Sequence, residues 1–224
     1  MRGDGERQTA ENLPGPLSPI AASWHESVMA RSILVFYGSY RRDRQGIKLA
    51  RWIVESLRAR GDAAELIDAK VVDLPILDRR HSDYPPGEAP AAMAALAATI
   101  AAADGFVFTV GEYNGGLQPG LKNLVDHYLP EFAWRPAAIA SYSAGPFAGV
   151  RSATAWRTTL GAMGMVVTST PLGLARIGGA FDAEGQPAGE DGVRLERAFP
   201  RFADDLGWWI DAAAAQRARA APPY

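Results

Sequence analysis

Three short stretches gather residues suited to holding a charged, flat ligand. The first is GSYRRDRQG, residues 38–46. Gly38 permits a tight turn. Ser39 offers a hydroxyl and an amide, and Arg41 and Arg44 offer planar donors. Gly46 opens a helical pattern whose first amides have no partner within the helix. Such a set suits a terminal phosphate monoester, whose charge and extra oxygens reward Arg and Ser. It equally suits an ordinary strand-to-helix turn with solvated arginines. It is not the dinucleotide fingerprint G-x-G-x-x-G, and no Gly-Lys-Ser/Thr of a Walker loop occurs.

The second stretch is Glu112-Tyr113-Asn114-Gly115-Gly116. Tyr113 can pack on a planar ring, and Asn114 can both donate to and accept from a heterocycle edge. Gly115 and Gly116 let the backbone come close. Glu112 suits either acid–base work or, as the simpler reading, accepting a backbone hydrogen bond that orients the loop. The third is SAGPFAGV, with Ser143, Ala144, Gly145 and Gly149. The amides of residues 144–149 can face an electron-rich group. Each of these alone also reads as a plain turn.

Composition narrows the choice. The chain has 224 residues, 48% hydrophobic, a formal net charge of −2, no cysteine and three histidines. That supports one well-buried domain and gives no basic face for nucleic acid or an anionic membrane. Disulfide, thiolate and Cys-ligated metal chemistry are excluded. His25, His81 and His127 are not spaced as a ligand pair, so no metal is expected. On the helix, His127 reads as a surface or interface residue before it reads as a proton donor. No apolar run approaches the roughly 20 residues that span a bilayer, and the start has no basic head before an apolar core. A cytoplasmic protein is expected.

The elements that position the three stretches follow from periodicity. Ile33 to Tyr37 is a continuous apolar run, as in a strand buried on both faces. A helix with Ile47, Ala50, Ile53, Val54 and Leu57 on one side follows and stops at Gly61. Ala63 to Ile67 reads as a strand, 71–90 as a long loop of the functional kind, and Ala91 to Ala103 as a helix. Gly105 to Val110 reads as a strand and Leu117 to Leu129 as its helix. Ala137 to Tyr142, Val150 to Ala162 and Met165 to Thr168 continue the alternation. Residues 171–192 read as loop. Leu195, Phe199, Phe202, Leu206, Trp209 and Ile210 predict a last helix, which Pro200 should start or kink. Residues 1–31 read as a flexible extension, 32–213 as the domain and 214–224 as a fraying tail. Within the extension, Met29 could be the start of the natural product, and Trp24 could instead pack an arm on a partner.

This alternation predicts an α/β three-layer sandwich with a five-stranded parallel sheet. At this length the flavodoxin-like order 2-1-3-4-5 is the natural choice. All three stretches then reach one sheet edge, with strands one and three flanking the switch point. A phosphate site beside an aromatic–amide loop describes a mononucleotide with a flat heterocycle, and FMN fits.

With these residues in view, the chain resembles the NADPH-dependent FMN reductase family, a flavodoxin-like group that includes quinone and azo reductases. The resemblance covers roughly residues 32–170. It is carried by Gly38-Ser39-x-Arg41, by Glu112-Tyr113-Asn114-Gly115 with Leu121-Lys122-Asn123 and Asp126, and by Ser143, Gly145 and Gly149-Val150-Arg151. Two positions depart from it: Gly111 stands where the family often has Pro, and Arg44 where it often has Ser. Arg44 could replace a hydroxyl contact to phosphate or face the nicotinamide nucleotide.

The resemblance implies FMN as cofactor and NADPH, or NADH, as donor. Hydride would pass through flavin N5 to a small-molecule acceptor such as a quinone, free flavin or azo compound. It implies a homodimer or dimer of dimers, for which Tyr128, Phe132, Trp134, Trp208 and Trp209 offer aromatic surface if they are not core. Lys122 and Asp126 read as a helix-face pair. Three competitors stand beside this reading: an FMN electron carrier without NAD(P)H turnover, a flavin-binding regulatory or storage module, and a nucleotide-binding protein without flavin.

Overall fold

The computed structural model describes residues 30–223, so Met29, Trp24 and nearly all of the expected extension lie outside the described residues. The chain is already tethered at Arg31, whose guanidinium donates to the Asp211 carboxylate at 2.9 and 2.8 Å.

Strand β1 (Ser32–Tyr37) is followed by helix α1 (Gly46–Ala59), strand β2 (Ala63–Asp68) and a single helical turn, α2 (Ala69–Val72). Helix α3 (Ala91–Ala102), strand β3 (Gly105–Gly111), helix α4 (Pro119–Asp126) and strand β4 (Pro136–Tyr142) come next. Helix α5 (Val150–Ala162), two short strands β5 (Val166–Val167) and β6 (Leu172–Leu174), and the long helix α6 (Gly189–Arg217) complete the chain. The parallel sheet has the order β2-β1-β3-β4-β5, as expected, and β6 also pairs with β4. Helices α1 and α6 cover one face, where Val35, Leu49, Ile53 and Leu206 meet. Helices α3, α4 and α5 cover the other, around Phe36, Phe108, Leu121 and Trp156.

Local rules set the element ends. Gly61, at φ 94°, follows α1 in the left-handed conformation that a helix C-terminus favours. Helix α4 is shorter than the predicted Leu117–Leu129. Pro119 sits in its first turn, where a missing N–H costs nothing. Leu129 precedes Pro130 and leaves the helical region at φ −146°.

Four expectations are corrected. The fifth strand is two segments: β5 covers only Val166–Val167, and the stretch read as loop from 171 supplies β6, which pairs Leu172–Leu174 with Ala140–Tyr142. Alternation over so short a run is invisible. Pro200 does not start α6 but lies within it, in a helix that begins at Gly189. The Glu196 carbonyl that loses its donor lies, like Pro200, on an exposed stretch where water can satisfy it. The same helix continues past 213 to Arg217, whose guanidinium donates to the Trp134 carbonyl at 3.1 Å. His127 is fully buried rather than on the surface: its Nδ1 meets the Asn123 carbonyl at 2.8 Å and its Nε2 has no partner. Tyr128 and Phe132, offered as interface or core, are core.

Among the described residues no helix is long and apolar enough to cross a membrane, and no cluster of His, Cys, Asp or Glu could hold a metal ion.

Candidate functional site

Strands β1, β3 and β4 end side by side, with Tyr37 paired to Thr109 and Gly111 to Tyr142. Their following loops therefore meet at the carboxyl edge of the sheet, the place where open α/β sheets bind ligands.

The first loop is held from several sides. A β-carbon on Gly38 would overlap the Leu121 backbone at 2.3 Å, so the loop lies directly on α4. The Tyr40 hydroxyl donates to the Ala69 carbonyl at 2.6 Å. Ser39 is buried, and its Oγ shares a 2.8 Å hydrogen bond with the Tyr113 hydroxyl. The Arg41 guanidinium lies 4.3 Å from the centre of the Tyr113 ring, on an exposed part of the loop, and among the described residues no carboxylate pairs with it. The first and second loops thus touch through Ser39, Arg41 and Tyr113. No side chain caps α1, whose first residue is Gly46.

Arg44 is engaged elsewhere. Its Nη1 donates to both oxygens of Asp68, at 2.8 and 2.6 Å, and to the Ser39 carbonyl at 3.4 Å. Asp68 ends β2, is buried, and also accepts from the Lys70 amide. Arg44 therefore ties the first loop to the neighbouring strand, while Arg41 and Arg42 lie exposed on the loop.

The second loop is a two-residue turn. Tyr113 and Gly116 exchange backbone hydrogen bonds at 3.2 and 2.9 Å, and the residues between them, Asn114 and Gly115, have φ 51° and 76°. Two successive positive φ values require an Asn-Gly type of sequence. Glu112 acts as an orienting acceptor, receiving the Arg151 amide at 3.1 Å and its Nη1 at 2.8 Å. The Ser152 hydroxyl adds a bond to the Gly111 carbonyl. Helix α5 thus fixes the second loop from below.

The third loop rests on the segment that sequence left unassigned. The Ser143 amide donates to the Leu174 carbonyl, and the amides of Arg176 and Ile177 donate back to Gly145 and Ser143. The Ser143 hydroxyl donates to the Gly145 carbonyl at 2.9 Å, and Ser141 Oγ donates to the Ala148 carbonyl at 2.7 Å. Ala148 and Gly149 are both left-handed, at φ 52° and 73°. This pair turns the chain into α5, whose Val150 amide donates to the Phe147 carbonyl at 3.1 Å. Gly149 has no room for a β-carbon, which would sit 2.6 Å from the Tyr142 carbonyl oxygen. Ala144 is exposed on the loop.

All thirteen residues singled out from sequence, from Gly38 to Gly149, therefore fall on the three adjoining loops. What sequence missed lies beneath them. The Tyr142 hydroxyl accepts from Gln118 Nε2 at 3.0 Å, and its ring fills the space beside Gly46 and Gly111. Burial pushes the Tyr142 phenol well above its usual range, and neighbouring Tyr37 adds to the shift. Burial also raises Tyr37, whose hydroxyl lies by Tyr142 and Ser39 without reaching hydrogen-bond geometry to either. The available signal was a polar-tipped aromatic closing two strands that otherwise read as apolar.

The chemistry of this donor set fits a mononucleotide with a planar ring. It offers the exposed guanidiniums of Arg41 and Arg42, a helix start without a side-chain cap, an aromatic ring, and glycines where backbone must come close.

Comparison with known proteins agrees. A family model described as NADPH-dependent FMN reductase matches residues 31–176. An NAD(P)H-dependent FMN reductase of Nectria sp is 32% identical over 125 residues, covering 51% of this chain and 60% of the relative. A Schizosaccharomyces pombe protein of the same description is 35% identical over 117 residues, covering 49% and 56%. The chain thus matches little more than half the length of these curated relatives. In structure, the flavoenzyme NAD(P)H:(acceptor) oxidoreductase FerB of Paracoccus denitrificans superposes with a TM-score of 0.65 at 22% identity, covering 82% of this chain and 99% of FerB. At that identity the likeness speaks for the fold.

Proposed function

The chain belongs to the NADPH-dependent FMN reductase family, and from that membership we propose that it binds FMN at the three-loop edge and works as an NAD(P)H-dependent oxidoreductase. Bound there, FMN would supply two-electron chemistry, taking hydride from NAD(P)H and passing it to a small acceptor. The observation that carries the reading is the meeting of Ser39, Arg41 and Tyr113 at the sheet edge. It sets a cation and a hydroxyl for a phosphate beside a ring for a heterocycle.

The chain's residues take separate parts in this proposal. Ser39 and Arg41 hold the phosphate, while Gly38 and Gly46 let the loop seat against Leu121 and the Tyr142 ring. Arg44 keeps the first loop in place through Asp68. Glu112, Tyr113, Asn114 and Gly115 border the ring, and Glu112 acts by holding Arg151 rather than by moving a proton. The amides of Ala144, Gly145 and Gly149 face the ring's electron-rich edge, where negative charge grows on reduction, and Ser143 braces that loop through the Leu174 and Gly145 carbonyls. The acceptor is a quinone, free flavin or azo compound.

The domain is taken to begin at 32 after an extension and to run through α6 to Arg217. The protein is taken as a cytoplasmic homodimer or dimer of dimers. Trp208 is 64% exposed and Val166 45%, and Val166 borders a cleft of about 540 Å³ at the opposite end of the sheet. Such apolar surface suits a subunit contact, which light scattering of the purified protein would test.

The deciding experiment is a visible spectrum of the purified protein, then anaerobic titration with NADPH and with NADH, then steady-state turnover with a quinone. Flavin absorbance bleached by NAD(P)H and restored by the quinone is the expected result. A coloured protein that neither nucleotide reduces would leave an electron carrier. A colourless one that takes up no FMN would sink the proposal.

A further inference from the structure

The third loop carries a feature that holding FMN does not use. Ala144, Gly145, Pro146 and Phe147 form an apolar run at the sheet edge, and the Phe147 side chain is 62% exposed. A large aromatic side chain left in water forgoes the stabilisation of burial. Here the backbone turns it outward at further cost. Ala148 is held at φ 52°, a region that residues with a β-carbon avoid, and Gly149 follows at 73°. The Ser141 hydroxyl pins the Ala148 carbonyl at 2.7 Å, and the Val150 amide donates to the Phe147 carbonyl at 3.1 Å.

Phe147 also has a partner. The Arg151 guanidinium lies 5.2 Å from the centre of its ring. Arg151 is fixed by Glu112, and a β-carbon on Gly115 would lie 3.7 Å from its Cδ. The Arg151 side chain is nevertheless 54% exposed, and one carboxylate leaves part of its five-donor fork unused. An outward aromatic face therefore sits beside a partly free guanidinium, on the rim where the second and third loops meet.

We propose that Phe147 and Arg151 form the acceptor platform, and that the acceptor it takes is a planar aromatic bearing one anionic group, such as a sulfonated or carboxylated quinone. The inference rests on the reading above that the site holds FMN and receives hydride from NAD(P)H. The acceptor's ring stacks on Phe147 and its anion meets the open side of Arg151. One guanidinium, already half offset by Glu112, matches a single charge better than the pyrophosphate of a dinucleotide. That assigns the platform to the acceptor rather than to the donor. The platform exchanges no atoms. The quinone gains two electrons and two protons, drawn as a hydride that originates on NAD(P)H and a proton from solvent; hydroquinone and NAD(P)⁺ leave.

The test uses the FMN-loaded full chain, Phe147→Ala, and two probes, 1,4-naphthoquinone-2-sulfonate and neutral 1,4-naphthoquinone. Binding of each to the oxidised protein is titrated through the flavin spectrum. Reduction by NADPH and reoxidation by each quinone are then followed separately. The wild type should bind the sulfonate more tightly than the neutral ring, and added salt should erase the difference. Phe147→Ala should weaken both quinones by about three- to tenfold, the range for a lost aromatic stack. The rate of flavin reduction by NADPH should hold. Equal binding of the two quinones, or unchanged binding by the variant, overturns the platform. Slowed reduction by NADPH alone moves Phe147 to the donor side, and a change of oligomeric state makes it a subunit contact; either overturns it. A protein that binds FMN and both quinones but is not reduced by NADPH sinks the oxidoreductase reading and leaves the binding data to decide the platform. One that takes up no FMN sinks both.

Discussion

Gly111 ends β3 in glycine because Tyr142 ends β4 in tyrosine. A β-carbon on Gly111 would lie 2.7 Å from the Tyr142 hydroxyl oxygen and 2.8 Å from its Cζ. Gly46, at the start of α1, meets the same ring, with 2.2 Å to Cζ. Glycines on two different elements thus make room for one phenol, which Gln118 anchors at 3.0 Å. The stiff proline that the family often places at 111 would bring atoms into this occupied space. Gly111→Ala should cost about 1–3 kcal/mol in urea unfolding, as overpacking does. Combined with Tyr142→Ala it should cost clearly less than the sum of the two single changes. Strict additivity would show that the phenol is not what excludes the β-carbon.

Arg41 and Arg44 should separate by function. On the proposed phosphate role, Arg41→Ala weakens FMN binding by about 1.5–3 kcal/mol, the loss of a charged hydrogen bond. The melting temperature of the FMN-free protein should barely move, since Arg41 lies exposed on its loop against the Tyr113 ring. Fluorescence titration with FMN measures the first and a thermal melt the second. An unchanged FMN affinity would remove Arg41 from the phosphate site.

Arg44→Ala should instead act on stability. It leaves the buried Asp68 carboxylate without its cation, a change that costs about 3 kcal/mol when a largely buried pair is broken from one side. Arg44→Ala with Asp68→Asn should recover much of that loss, because the stranded charge is gone. A thermal melt in which the double variant is no better than Arg44→Ala would contradict this account.

Asp205 gives a pH-dependent contribution. Its Oδ2 accepts the amide and hydroxyl of Ser169, at 3.1 and 3.3 Å, and those of Thr170, at 3.0 and 2.5 Å. Burial pushes its pKa up, but the donors from Thr170 and Ser169 outweigh burial and hold it below the usual carboxylate value. A depressed native pKa stabilises the fold above the unfolded value of about 3.9, and that stability is lost as pH falls through the native pKa. Asp205→Asn should cost about 0.5–1.5 kcal/mol at pH 7, and the gap to the wild type should close as the pH drops below about 4. Denaturant unfolding at pH 7 and pH 3 checks it; a gap that stays constant would rule out the carboxylate as its source.

Much of this could be read along the chain. Continuous apolar runs announced β1, β3 and β4, and the spacing of Leu49, Ile53 and Leu57 announced α1, because burial against one layer imposes the period of the element. What resisted was structure without a period. Strand β6 spans three residues and shows itself only by pairing with β4. Pro200 reads as a breaker, yet the carbonyl it deprives lies on an exposed face of α6.

The same division holds at the candidate site. The Asn114-Gly115 turn and the left-handed Gly149 were legible because turns demand particular residue types at particular offsets, and such demands are local. Only the tertiary structure decided that Arg44 answers to Asp68, that Glu112 holds Arg151, that the 174–177 segment backs the third loop, and that Gly111 yields to Tyr142. Each joins residues at least 24 positions apart, and partners that far apart are set by strand order and register. The amino-acid sequence by itself picked out three loops, and strand order brings them to one sheet edge. Packing decided which of their side chains remain free.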